Sequence, residues 1–270
     1  MAAFFHSFSK GYRAVEFDVK LTKDKQCILF HDEEFGRTIK KPGKIGDYTL
    51  SELTSTVDAG QWHQSQCYSG EPLAQFADII TFCKSRGVWM NVEIKPELGT
   101  DMVTGTLVAA HTAGAFQSEL DAYCVARDTG KRELASKLLH ELPLFSSYSF
   151  EALKSAKAAA PDIPRALLVK NLADIPDWRE KCAELGVVAL HTDVKFLTGE
   201  EAAEVKSLGY AIMCYTVNSV EDYYRLLSYG VNSICTDEIT RFSEISEVAT
   251  VEPPHLSVKV PKPAVVRALS

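Results

Sequence analysis

Short apolar blocks recur along the chain at 14–20, 87–95, 142–149, 163–169, 186–193, 209–218 and 230–237. Between several of them lie stretches in which apolar positions fall three and four apart, as at 150–160, 199–209 and 220–230. The first pattern predicts buried strands and the second predicts helices that lay one face on a core. Gly209 and Gly230 stand at the junction of helix and following strand, where a residue able to adopt the left-handed conformation closes a helix without steric cost. Strand and helix in regular alternation predict a parallel sheet joined by right-handed crossovers.

Residues 15–32, VEFDVKLTKDKQCILFHD, depart from plain apolar strand. Side chains two apart on a strand share a face, so Glu16 and Asp18 point one way while Val15, Phe17 and Val19 point the other. The polar link Thr22-Lys23-Asp24-Lys25 predicts a hairpin, with Asp18 opposite Leu29 and Glu16 opposite His31. Two readings fit these residues: a site that gathers carboxylates beside a histidine, or an amphipathic hairpin with Glu16 and Asp18 in solvent.

Seven blocks and their helices are one strand short of a (β/α)8 barrel, a fold that commonly needs roughly 250 residues. The 270-residue chain opens on a helical pattern, AAFFHSFSKG, with no strand before it. The expected architecture is therefore an α/β TIM barrel over residues 1–247 that lacks its first strand. An excursion at about 35–70, rich in Gly, Lys, Thr and Ser, interrupts it after His31-Asp32, with LSELTSTVDAG as a short helix. Residues 117–141 enlarge the helical layer, and the Pro-containing end, 248–270, is expected to be a disordered tail.

A formal charge of −7 argues against a polyanion binder, because nucleic-acid affinity rests on clustered Lys and Arg. Seven cysteines without CxxC spacing suit reduced thiols in a cytoplasmic protein. No apolar run approaches the ~20 residues of a membrane span, and the first ten residues lack the pattern of a signal peptide.

In such a barrel the chemistry sits at the C-terminal ends of the strands, which draws attention to NVEIKP. Glu93 adds a third inward carboxylate to Glu16 and Asp18, a set of hard oxygen ligands suited to Mg²⁺ or Ca²⁺. Lys95, two residues on, places a cation beside them and implies an anionic substrate such as a phosphate. A single ExK also fits a salt-bridged surface strand.

The series AVEFDVKLTKDKQCILFHDEEFGRT, NVEIKP, LFSSYSFEAL, AIMCYTVN and GVNSICTD, in this order, resembles the glycerophosphodiester phosphodiesterase family, especially its bacterial cytoplasmic branch. The resemblance runs from about residue 2 to 243. It implies a TIM barrel with a small insertion after the His-Asp motif, and hydrolysis of glycerophosphodiesters to an alcohol and sn-glycerol 3-phosphate. It also implies Glu16, Asp18 and Glu93 as ligands of one divalent cation, His31 as an acid–base group, and Lys95 as a phosphate ligand. Glu16, His31 and Lys95 make up the implied catalytic set. Tyr215 occupies a position where relatives carry Trp or Tyr against the glycerol carbons, and a plain core role fits it equally.

Relatives begin with a strand ending in His-Arg-Gly, which supplies a second histidine and an arginine; this chain starts at the helix that follows. His6 lies on that helix, and among the other histidines His191, at the end of its strand, is the one expected to reach the barrel mouth. The reading is an enzyme impaired by loss of that strand. The alternatives are a non-catalytic member that binds metal or glycerophosphodiester, and another metal-dependent barrel acting on a phosphorylated metabolite. The expected partner is a small-molecule glycerophosphodiester, without nucleic acid or membrane span.

Overall fold

The computed structural model describes residues 1–60, 66–245 and 265–267. Helix α1 (Ala2–Ser9) leads into β1 (Ala14–Leu21), which turns back through β2 (Cys27–Leu29). After the excursion, with its short helix α2 (Leu50–Thr56), the chain alternates: α3 (Phe76–Arg86), β3 (Trp89–Ile94), three consecutive helices, then β4 (Leu144–Ser147). The three helices are α4 (Asp101–Ala115), α5 (Gln117–Asp128) and α6 (Arg132–Glu141). From there α7 (Phe150–Ala159), β5 (Arg165–Val169), α8 (Trp178–Leu185) and β6 (Ala189–Asp193) follow. The series ends with α9 (Gly199–Ser207), β7 (Ala211–Tyr215), α10 (Val220–Ser228), β8 (Ser233–Thr236) and α11 (Ile239–Ile245).

All seven predicted blocks are parallel neighbours in the order β1-β3-β4-β5-β6-β7-β8. A further strand, β9 (Val265–Arg267), pairs in parallel with both β8 and β1, so the place between the first and last of the seven is taken by backbone from the end of the chain. Of the stretch expected to be a tail, 248–264 and 268–270 lie outside the described residues.

Alternation along β1 sorts its side chains as expected. Val15, Phe17 and Val19 join the apolar layer between sheet and helices, where Phe17 meets Phe4 of α1 edge-on and Phe76 of α3. Glu16, Asp18 and Lys20 face the interior and are buried too, which removes the reading of a solvent-exposed amphipathic hairpin. Gly87 and Gly186, with φ near 62°, end α3 and α8 in the left-handed conformation and turn the chain directly into the next strand.

The hairpin register differs by one residue from the expected one: Val19 pairs with Leu29 and Leu21 with Cys27. The link is longer than a two-residue turn. The Thr22 carbonyl and hydroxyl accept from the Lys25 and Gln26 amides, and Lys25 takes φ 63°, so one extra residue is spent in the turn. β2 ends before His31, whose position is therefore set by the loop after it.

The excursion has a small core of its own. Ile28 and Phe30 pack with Phe35, Ile39, Ile45, Leu53 and Leu73, and Glu97, after β3, accepts from the Gly46 amide while pairing with Lys44. The segment is thereby tied to the C-terminal rim of the barrel. Among the described residues no helix is long and apolar enough to cross a membrane.

Candidate active site

Parallel register carries the acidic residues together. Pairing of Asp18 with Glu93 and of Glu16 with Asn91 stacks two inward carboxylates of β1 beside one of β3. One oxygen from each lies within 4.8 Å of the other two, and all three residues are buried. A divalent ion bound at about 2.0–2.6 Å from each oxygen spans that distance, so the donor set fits one hard cation in both chemistry and size.

Lys95, just past β3, lines the same cavity as Glu16 and Glu93. Its Nζ is 2.9 Å from Asp18 Oδ1 and 3.9 Å from Glu93 Oε1. His31 lines the cavity from the hairpin side, with Nδ1 2.9 Å from Asp32 Oδ1. Arg37 donates to both oxygens of Asp32, from Nε at 3.0 Å and Nη2 at 2.8 Å. Burial works against the charge on Asp32, but the hydrogen bonds from Arg37 and His31 outweigh it and hold the carboxyl below its usual range. A carboxylate so fixed accepts only, which assigns the proton on His31 to Nδ1.

The cavity, about 480 Å³, opens at the C-terminal ends of the strands and is of a size usual for small-molecule sites. Its far wall carries Tyr148 and Tyr215, whose rings meet edge-on and whose hydroxyls are hydrogen-bonded. The Tyr215 hydroxyl also donates to the Val169 carbonyl at 2.6 Å, and burial first, then its neighbours, pushes its pKa up. Tyr215 is thus held as a neutral phenol in the site wall.

Every residue expected at the site, Glu16, Asp18, His31, Glu93, Lys95 and Tyr215, is brought to this end of the barrel. His191 is not: its side chain is buried in the barrel interior and faces a different cavity, toward the opposite end. Sequence reading passed over Asp32 and Arg37 as the holders of His31, and Tyr148, Asp193, Lys195 and Asn218 as wall residues. Their signal was position: each of the last four lies at or just beyond the C-terminal end of a strand.

A parallel eight-stranded α/β barrel with clustered carboxylates, a lysine and an oriented imidazole at its C-terminal mouth has the layout of a TIM-barrel hydrolase, in which the site is built at the strand ends. Residues 1–241 match the glycerophosphoryl diester phosphodiesterase family. A glycerophosphodiester phosphodiesterase of Bacillus subtilis (strain 168) is 25% identical over 243 residues, which cover 86% of this chain and 76% of that protein. One from Caldanaerobacter subterraneus subsp. tengcongensis is 24% identical over 238 residues, covering 88% and 87%. Among solved structures, an Oleispira antarctica phosphodiesterase in complex with the product sn-glycerol-3-phosphate superposes with a TM-score of 0.73 at 24% identity, over 91% of this chain and 89% of that one. The chain belongs to the glycerophosphoryl diester phosphodiesterase family and is an enzyme of that class.

Proposed function

We propose that the protein hydrolyses glycerophosphodiesters to an alcohol and sn-glycerol 3-phosphate with the help of one divalent cation, Mg²⁺ or Ca²⁺. The observation that carries this is the trio Glu16, Asp18 and Glu93, with one oxygen of each within 4.8 Å of the others, next to a cavity that Glu16 and Glu93 line together with Lys95 and His31.

Glu16, Asp18 and Glu93 would hold the cation, which when bound supplies polarisation of a phosphoryl oxygen and a lowered pKa for the attacking oxygen. Lys95 draws the phosphate to the same end of the site by charge. His31, with Nδ1 committed to Asp32, exchanges protons with the substrate through Nε2 and protonates the departing alkoxide. The half-buried ring of Tyr215 offers an apolar face to the glycerol carbons. The seven cysteines are thiols rather than disulfides, which supports work in the cytoplasm.

A second reading, binding of glycerophosphodiester with slow or no turnover, is favoured by one observation. Among the described residues His31 is the one imidazole lining the cavity, whereas the family resemblance implies two.

The test is hydrolysis of glycerophosphocholine, with released glycerol 3-phosphate coupled to its dehydrogenase. Activity that vanishes with a chelator and returns with Mg²⁺ or Ca²⁺ supports the enzyme. Metal-dependent binding without product supports the second reading, and absence of both sinks the two together.

A further inference from the structure

Inside the barrel, below the catalytic cavity, lies a second cavity of about 310 Å³. The two share the side chain of Met213 as a partition. The lower one opens at the N-terminal ends of the strands, where Ala14, Trp89, Leu144, Ala189 and Ala211 form its barrel wall. Its outer wall is α6, through Ala135 and Leu139, with Tyr123 of α5 beside it. The helical enlargement at 117–141, which the catalytic site does not use, therefore supplies one wall of this space.

Two polar atoms in this otherwise apolar chamber have no partner among the described residues. They are His191 Nδ1 and Ser233 Oγ, both on residues that line it. His191 is 3% exposed. Two other polar atoms of the lining have partners: Trp89 Nε1 donates to the Leu142 carbonyl at 2.9 Å, and Asn232 Oδ1 accepts from the Ile212 amide at 2.9 Å. A buried polar atom left unpaired is costly, so an occupant able to hydrogen-bond there is stabilised by more than apolar contact.

No Asp, Glu, Lys or Arg contributes to the lining, which disfavours a charged occupant, and its second imidazole, His140, is engaged through Nδ1 with the Ser136 carbonyl. Burial lowers the His191 pKa to about 3, so the imidazole is neutral near pH 7 and offers one nitrogen without charge. An apolar cavity of about half this volume already takes up benzene.

We propose that this chamber is a second ligand site, separate from the catalytic one, for an uncharged apolar molecule of about two fused rings carrying one hydroxyl. The hydroxyl faces His191 Nδ1 or Ser233 Oγ, since it can donate to the first or pair either way with the second.

The experiment is a fluorescence titration of the full chain with 2-naphthol at pH 7, compared with 2-methylnaphthalene, which replaces the hydroxyl by a methyl of similar size. Saturable binding of 2-naphthol, at least tenfold tighter than its methyl analogue, is expected. The substitution Ala135→Phe should fill the chamber from α6 and weaken binding at least tenfold, with divalent-metal affinity unchanged by calorimetry. Ala189→Leu, from the opposite wall, serves the same purpose if Ala135→Phe does not fold. His191→Leu combined with Ser233→Ala should erase the preference for the hydroxyl. Absence of saturable 2-naphthol binding, or wild-type affinity in a folded cavity-filled variant, overturns the proposal.

Discussion

Lys95 Nζ sits 2.9 Å from Asp18 Oδ1, although 77 residues separate them, because β1 and β3 run in parallel with Asp18 level with Glu93. A cation of the chain thus rests against the carboxylates assigned to a metal. Two roles can be separated. A residue that only balances buried charge competes with the ion, whereas a phosphate ligand is needed for turnover.

Replacing Lys95 by Met is expected to leave divalent-ion affinity equal or higher, because a competing positive charge is gone, while turnover of glycerophosphocholine falls at least a hundredfold. By contrast Glu16→Gln, Asp18→Asn and Glu93→Gln should each weaken the ion at least tenfold. Calorimetry with Mg²⁺ and Ca²⁺ reads both sets. An ion affinity that falls as far in Lys95→Met as in the carboxylate variants refutes the division of roles.

His31→Ala should cost roughly 10²–10⁴-fold in turnover, the usual scale for a positioned proton donor, with little change in ion affinity, since Mg²⁺ and Ca²⁺ prefer oxygen ligands. Steady-state rates at saturating metal decide it. Rates that recover fully when metal is raised would make His31 a ligand instead.

Asp32 holds the imidazole from one side and is itself held by Arg37. Asp32→Asn is therefore expected to lower turnover about tenfold or more at unchanged ion affinity, and Arg37→Gln to lower it less, because Arg37 acts one contact further away. If Asp32→Asn retains full activity, the loop around His31 positions the ring without it.

Acid stability should report His191. Its pKa is lowered to about 3 by burial, against about 6.5 in an unfolded chain. Between those values the unfolded state binds a proton that the folded state refuses, so stability is present above about pH 6.5 and lost as pH falls toward 3, by up to ~1.4 kcal/mol per pH unit. His191→Gln should flatten this limb in urea titrations at pH 6, 5 and 4. A slope identical to that of the parent chain assigns the acid sensitivity to other groups.

The pairing of β9 with both β1 and β8 covers two strand edges that otherwise present unpaired amides and carbonyls, and exposed edges invite association. Removal of residues 248–270 is expected to lower the thermal midpoint by several degrees and to promote concentration-dependent association in light scattering. A shortened chain that melts and sediments like the full one shows that these edges need no cover.

What the sequence determined by itself was local and periodic. Alternation along Val15-Glu16-Phe17-Asp18-Val19 sets which side chains share a face, and the seven strand blocks with their glycine-ended helices set the parallel order. Strand-end spacing in NVEIKP named Glu93 and Lys95, and the series of motifs named the family. Tertiary structure decided what depends on distant chain segments or on the length of a turn. Whether Glu16 and Asp18 meet solvent or the barrel interior depended on the sheet curling round until β9 joins β8 to β1, since a period of two marks two faces without saying which is inside. One extra residue in the turn after Thr22 shifted the hairpin, so that His31 is held by the contact with Asp32, which Arg37 holds in turn, and not by a strand partner. His191 ends a strand-like run as a mouth residue would, yet the stagger of β6 in the barrel sets it below the site, beside a chamber walled by α6 at the other end.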